Sequence, residues 1–187
     1  MTNKDIDKLR IELSIKAKNG IDFTLGASII WFIIAYIWTL KFNSYDKSIF
    51  VFIVGTPMLP LAFFLSKIFK TNWKIVDNPL QPLGLWLNFA QLIYFPFLIF
   101  TMIKMPDYFI MSYAIITGAH LFPYSWFYKT KWYAIFGGLI SLGVLIAALN
   151  LLNDKMYFVA IITGLLFLLL TLFLYFDALE KSKDNKS

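Results

Sequence analysis

Three residue types are absent or nearly so: the 187-residue chain has no cysteine, one arginine and one histidine. Without cysteine there are no disulfides, no thiolate metal ligands and no thiol nucleophile, and the redox compartment cannot be read. Charge is also scarce. Charged residues make up 15% of the chain, against about 25% in an ordinary soluble domain. No carboxylate stands near the centre of an apolar run, where proton-coupled pumps usually place one, so that class is disfavoured. Neither Gly-x-Ser-x-Gly nor His-Glu-x-x-His occurs, and an enzyme is disfavoured with them.

What is abundant is apolar surface. Hydrophobic residues reach 59% and aromatics 19%, more than one small globule can hide from water. Six continuously apolar segments approach the roughly 20 residues needed to cross a bilayer. They fall at 23–40, 49–66, 83–103, 108–128, 132–149 and 156–176. The runs are continuous rather than alternating, which argues for helices and against barrel strands. Lys and Arg number 13 in segments 1–22, 67–82, 129–131 and 177–187, against Lys41, Lys47, Lys104 and Lys155 on the other side. The positive-inside rule makes the first side cytoplasmic. The expectation is an all-α six-helix membrane bundle over residues 21–178, with N- and C-termini cytoplasmic and a polar tail at 179–187.

The net charge of +6 is dispersed in short lysine clusters between apolar runs, so nucleic acid is not an expected partner. Residues 1–20 form a basic leader. Leu9, Ile11, Leu13 and Ile15 alternate like a strand, while Ile6, Leu9, Leu13 and Ala17 fit a helix stripe. Thr2 and Asp5 suit a capping box and Asn19-Gly20 a helix stop. A lone strand would have no partner, so a short helix at the cytoplasmic membrane surface is favoured. Ala114–Gly118 and Ala160–Gly164 both read Ala-Ile-Ile-Thr-Gly, and Val54-Gly55-Thr56 lies at similar depth in the second run.

Polar side chains concentrate in the third and fourth runs. Gln81, Gly84, Asn88, Gln91 and Phe95 are spaced 3, 4, 3, 4, and Tyr113, Thr117, His120, Tyr124 and Phe127 are spaced 4, 3, 4, 3. Each set forms one stripe on one helix face. A tight hairpin around Lys104–Asp107 makes the two runs antiparallel neighbours. At 1.5 Å per residue, Gln91 and His120 both lie about 3 Å to the cytoplasmic side of their run centres, and Asn88 and Tyr124 about 7–9 Å. Unpaired amides and imidazoles are costly in lipid, so the stripes should face each other or a wet cavity. Pro57, Pro60, Pro96 and Pro123 free carbonyls nearby, among them that of Thr56. The expected ligand-binding set is His120, Gln91, Asn88, Tyr124, Thr117 and Thr56, walled by Phe89, Tyr94, Phe122 and Trp126. Asn, Gln, Thr and His also serve simply to fasten helices. No catalytic residue, metal site or cofactor is expected, since His120 has no second His or nearby carboxylate.

The segments Asp77-Asn78-Pro79-Leu80-Gln81-Pro82-Leu83-Gly84 and Gly118-Ala119-His120-Leu121-Phe122-Pro123-Tyr124 resemble a family of uncharacterised multi-pass bacterial membrane proteins. That resemblance implies a bacterial plasma membrane and carries no activity. The leading functional expectation is a protein that binds or transports a small uncharged or amphipathic molecule. An accessory or protective protein acting through protein partners is the alternative, and an intramembrane enzyme a third. The expected partners are the lipid bilayer and a small-molecule or lipid ligand, with a homo-oligomer left open.

Overall fold

The computed structural model describes residues 3–185. It is 85% helix, with no strand among the described residues. The helices are α1 (Asn3–Lys16), α2 (Ile21–Thr39), α3 (Ser44–Gly55), α4 (Met58–Phe69), α5 (Gln81–Ile93), α6 (Phe95–Lys104), α7 (Phe109–Phe127), α8 (Trp132–Asn150) and α9 (Tyr157–Asp184). Four stretches are long and apolar enough to cross a membrane: Lys18–Thr39, Gln81–Lys104, Trp132–Asn150 and Asn153–Asp184. The α3–α4 pair makes a fifth if its 41° bend lies within one span. With its 19 residues, α7 has the length but falls outside that set, because Tyr113, Thr117, His120, Pro123 and Tyr124 dilute its apolar character.

Proline chemistry sets the breaks. Pro57 and Pro60 have no N–H to offer the carbonyls of Ile53 and Thr56. The Thr56 N–H turns to the Ile53 carbonyl at 3.2 Å, and a new helix starts at Met58. The apolar run at 49–66 is therefore two helices. Pro96 acts similarly between α5 and α6, where the Tyr94 N–H reaches the Gln91 carbonyl at 3.2 Å. Pro123, by contrast, sits inside α7 without ending it.

The most extensive packing pairs α7 with α8 and α2 with α9. The repeated Ala-Ile-Ile-Thr-Gly segments lie at these two crossings. A Cβ on Gly118 would stand 2.7 Å from Ile140 Cγ2 and from Ser141 Oγ. Ser141 donates to the Ile115 carbonyl at 3.1 Å, and Ser28 of α2 donates to the Gly164 carbonyl of α9 at 2.9 Å. Small residues plus one hydroxyl per crossing let the backbones approach closely. At the edge, α5 and α6 have 6% of their most apolar window buried.

The basic leader is helical from Asn3 and packs under one end of the bundle, with Leu13 and Ser14 buried. Thr2, proposed for a capping box, lies outside the described residues. Lys18, Asn19 and Gly20 then take φ of 46°, 55° and 73°. These left-handed values are natural for Gly, tolerated by Asn and costly for Lys. The turn is fastened in compensation. Lys18 Nζ donates to the Phe69 carbonyl at 2.6 Å, and Asn19 Nδ2 donates to the Leu174 carbonyl at 2.9 Å and to Asp177 at 2.8 Å. Asn78 Nδ2 donates to the Leu9 carbonyl and to Glu12, Lys129 pairs with Asp7, and Lys181 donates to Ser14. The leader, the 70–80 loop, the 128–131 loop and the start of the polar tail thus meet at one end. At the other end Ser44 donates to Asp107.

Candidate functional site

A cavity of about 550 Å³ lies between α2, the α3–α4 break, α5 and α7. All six residues of the expected set, Thr56, Asn88, Gln91, Thr117, His120 and Tyr124, line it. They come from three chain regions, brought together by the α3–α4 bend and the antiparallel α5 and α7. The stripes on α5 and α7 do face one another. Gln91 Nε2 lies 3.5 Å from Thr117 Oγ1, the outer limit of a hydrogen bond.

Most of these polar groups do not join helices. Thr56 Oγ1 donates to the Phe52 carbonyl at 3.0 Å, Asn88 Nδ2 to Gly84 at 3.1 Å and Thr117 Oγ1 to Tyr113 at 2.8 Å. Each bond stays within its own helical turn. His120 is half-buried, and its ring meets Tyr124 edge-on at 5.5 Å between centroids. The Tyr124 side chain is 8% exposed, yet its hydroxyl has no hydrogen-bond partner. A buried hydroxyl left unpaired costs about 1–3 kcal/mol. Ser125, near His120 in sequence, is directed elsewhere and donates to the Thr130 carbonyl at 2.6 Å.

The aromatic wall differs from the expected one. Phe89 lines the cavity, but Tyr94, Phe122 and Trp126 do not. They are 51%, 64% and 48% exposed. Phe122 and Trp126 are two and six residues from His120, which turns them roughly 200° and 240° away on a helix. Trp126 instead carries the Arg10 guanidinium 4.7 Å above its ring. Phe127, seven residues on, returns to the cavity face and packs against Gly84.

The inner end of the cavity holds residues that sequence reasoning passed over. Asp22, in the first turn of α2, is 1% exposed and lines the cavity. Its Oδ2 accepts from Thr71 Oγ1 at 2.7 Å and from Trp73 Nε1, and its Oδ1 accepts from the Phe23 N–H. None of the ion pairs Arg10–Asp7, Lys16–Glu12, Lys129–Asp7 and Lys181–Asp177 involves Asp22, which has neutral donors and no cation among the described residues. Trp73 is stacked on Phe23 at 4.9 Å, and its carbonyl accepts from Gln81 Nε2 at 2.8 Å. Tyr124, Tyr128 and Tyr133 form a wall with centroids 5.4–6.1 Å apart. Tyr133 donates to the Asn19 carbonyl at 2.6 Å. The signal available in the sequence was a carboxylate immediately before the first apolar run.

The rim is apolar. Leu59, Leu85, Phe89 and Leu92 line the cavity and are 47–59% exposed. The floor includes Leu13 and Ala17 at the end of the leader. The arrangement is an apolar vestibule, a middle zone of amides and imidazole, and a carboxylate-tyrosine inner end.

Comparison with curated proteins and with solved structures gives no match. Most of the leader, both polar stripes and the Asp22 end of the cavity fall within residues 6–177, the stretch matched by the model of a family of unknown function, DUF7010, and the chain belongs to that family.

Proposed function

We propose that the chain crosses a bacterial plasma membrane six times with both ends in the cytoplasm, and that its cavity binds or moves a small uncharged or amphipathic molecule. Six crossings require the polar α7 to span along with the five more apolar candidates. That is physically sound, because its polar face turns to a cavity rather than to lipid. The observation that carries the reading is the convergence of Thr56, Asn88, Gln91, Thr117, His120 and Tyr124 on one cavity. Its volume of about 550 Å³ suits a small ligand.

Polar residues kept only to fasten helices would bond across helices. Here three of the six donate within their own helix, and the sole cross-helix contact among them is Gln91–Thr117. The exposed apolar rim on α4 and α5 supports entry from the bilayer. The test is a ligand-induced thermal shift on the purified chain, comparing wild type with His120→Ala over a panel of metabolites and lipids. A shift for at least one amphiphile, reduced in His120→Ala, is expected. Identical behaviour of the two proteins across the panel would defeat the reading.

A further inference from the structure

The neutral amides of the middle zone do not explain the inner end of the cavity. There a carboxylate is 1% exposed with no cation beside it, and a tyrosine hydroxyl is buried without a partner. These are two independent deficits in one space. The carboxylate lacks a counter-charge, and the hydroxyl lacks a donor or acceptor.

The surroundings narrow what can meet both. Tyr124, Tyr128 and Tyr133 stand together on one side, and the stacked Phe23–Trp73 pair lies beside Asp22. Aromatic faces carry negative potential and attract cations, more so where water is excluded. The Tyr128 and Tyr133 hydroxyls approach the space above Gly20, 3.2 and 3.3 Å from where a Cβ would stand. That brings two more phenolic oxygens within two residues of Asp22. An anion would meet the carboxylate and be repelled. A neutral head would leave the carboxylate uncompensated. A protonated amine supplies a positive charge for Asp22 and N–H donors for the tyrosine oxygens.

The remaining volume is apolar and leads to the exposed Leu59, Leu85, Phe89 and Leu92. We propose that the cavity takes a lipophilic primary amine, its ammonium head between Asp22 and the Tyr124–Tyr128–Tyr133 wall and its apolar tail running along α5 to the rim. This deepens the proposed function and rests on it, since it requires the cavity to be a ligand site.

The test uses the full chain in phosphatidylcholine nanodiscs at pH 7, with binding to empty nanodiscs subtracted. The probes are dodecylammonium, dodecanol and butylammonium. Dodecylammonium is expected to bind wild type at least tenfold tighter than dodecanol. In Asp22→Asn the two should come within threefold of each other while dodecanol still binds. Equal binding of amine and alcohol to wild type overturns the amine inference and leaves the proposed apolar ligand site standing. Binding of none of the probes removes the ligand site itself, and the inference with it. Butylammonium binding as tightly as dodecylammonium overturns the assignment of an apolar tail. Should Asp22→Asn not fold, Tyr124→Phe decides. It removes only the unpartnered hydroxyl and is expected to weaken dodecylammonium at least threefold, and an unchanged affinity overturns the proposal.

Discussion

Asn19→Ala should be among the most damaging single-atom-group deletions outside the apolar core. Asn19 is 0% exposed and sits in the turn between α1 and α2 with φ 55°. Its Oδ1 accepts from Ser14, and its Nδ2 donates to the Leu174 carbonyl and the Asp177 carboxylate. Neutral hydrogen bonds contribute about 1 kcal/mol each and one to a charged group about 2 kcal/mol, so the side chain holds roughly 4 kcal/mol. Alanine in the left-handed region adds about 1 kcal/mol more. At about 2–4 °C per kcal/mol for a chain of this size, the midpoint should fall by roughly 10–20 °C. The assay is thermal unfolding of the purified chain in a mild detergent, followed by loss of tryptophan packing. Asn19→Gly keeps the backbone geometry and isolates the hydrogen bonds, so it should lose most but not all of that shift. A fall of under about 3 °C for Asn19→Ala, less than 1 kcal/mol contributes on the same scale, would refute the assignment of this residue as the joint between leader and bundle.

Other consequences follow from the same geometry. Gly118→Ala places a Cβ 2.7 Å from Ile140, which is fully buried and has no room to give, so overpacking should cost about 1–3 kcal/mol; an unchanged thermal midpoint would count against the close α7–α8 crossing. The leader should loosen in acid. A hydrogen bond from Lys129 leads the interactions holding the Asp7 carboxyl below its usual range, and a hydrogen bond from Lys16 does the same for Glu12. Because both values are depressed on folding, these contacts stabilise the docked leader at neutral pH and are lost as pH falls below about 4. Hydrogen exchange of the α1 amides, corrected for intrinsic rate, should then rise relative to the centre of α9, and equal protection at pH 6 and pH 3 would contradict this. Ser28→Ala removes the donor to the Gly164 carbonyl and should cost about 1 kcal/mol, read as a midpoint shift of a few degrees.

Much of this architecture was legible because long apolar runs obey few rules. Continuous apolar runs had to be helical, and Pro57 with Pro60 had to disrupt the second run. The 3, 4, 3, 4 spacing from Gln81 to Phe95 defined one face, and that face does look onto the cavity. The same periodicity, applied to Phe122 and Trp126, would have turned them away from His120. What was not legible depends on contacts between distant residues. Asp22 at the start of an apolar run reads as a charge suited to a helix N-terminus. Only the folded chain brings Thr71 and Trp73, 49 and 51 residues away, onto its carboxylate. Tyr128 and Tyr133 flank a lysine-bearing loop and resemble interfacial anchors, yet Tyr133 is 3% exposed and faces the cavity. Hydropathy also rates α7 low, because its cavity-lining Tyr113, Thr117, His120 and Tyr124 are polar.

The docked leader also has a bearing on how the molecule is made. It leaves the ribosome before the bundle it docks on, and its holdfasts are spread along that bundle: Asn78, then Trp126 and Lys129, and finally Lys181, 167 residues after Ser14. At about 5–20 residues per second, that last contact becomes available roughly 10–30 s after Ser14 is synthesised. Through that interval the leader lacks its contact to the last helix. The last fastening of α1 is thus a late step of biogenesis, and a chain truncated before Lys181 would keep the leader's contacts to Asn78, Trp126 and Lys129 but lose the one that Lys181 makes to Ser14.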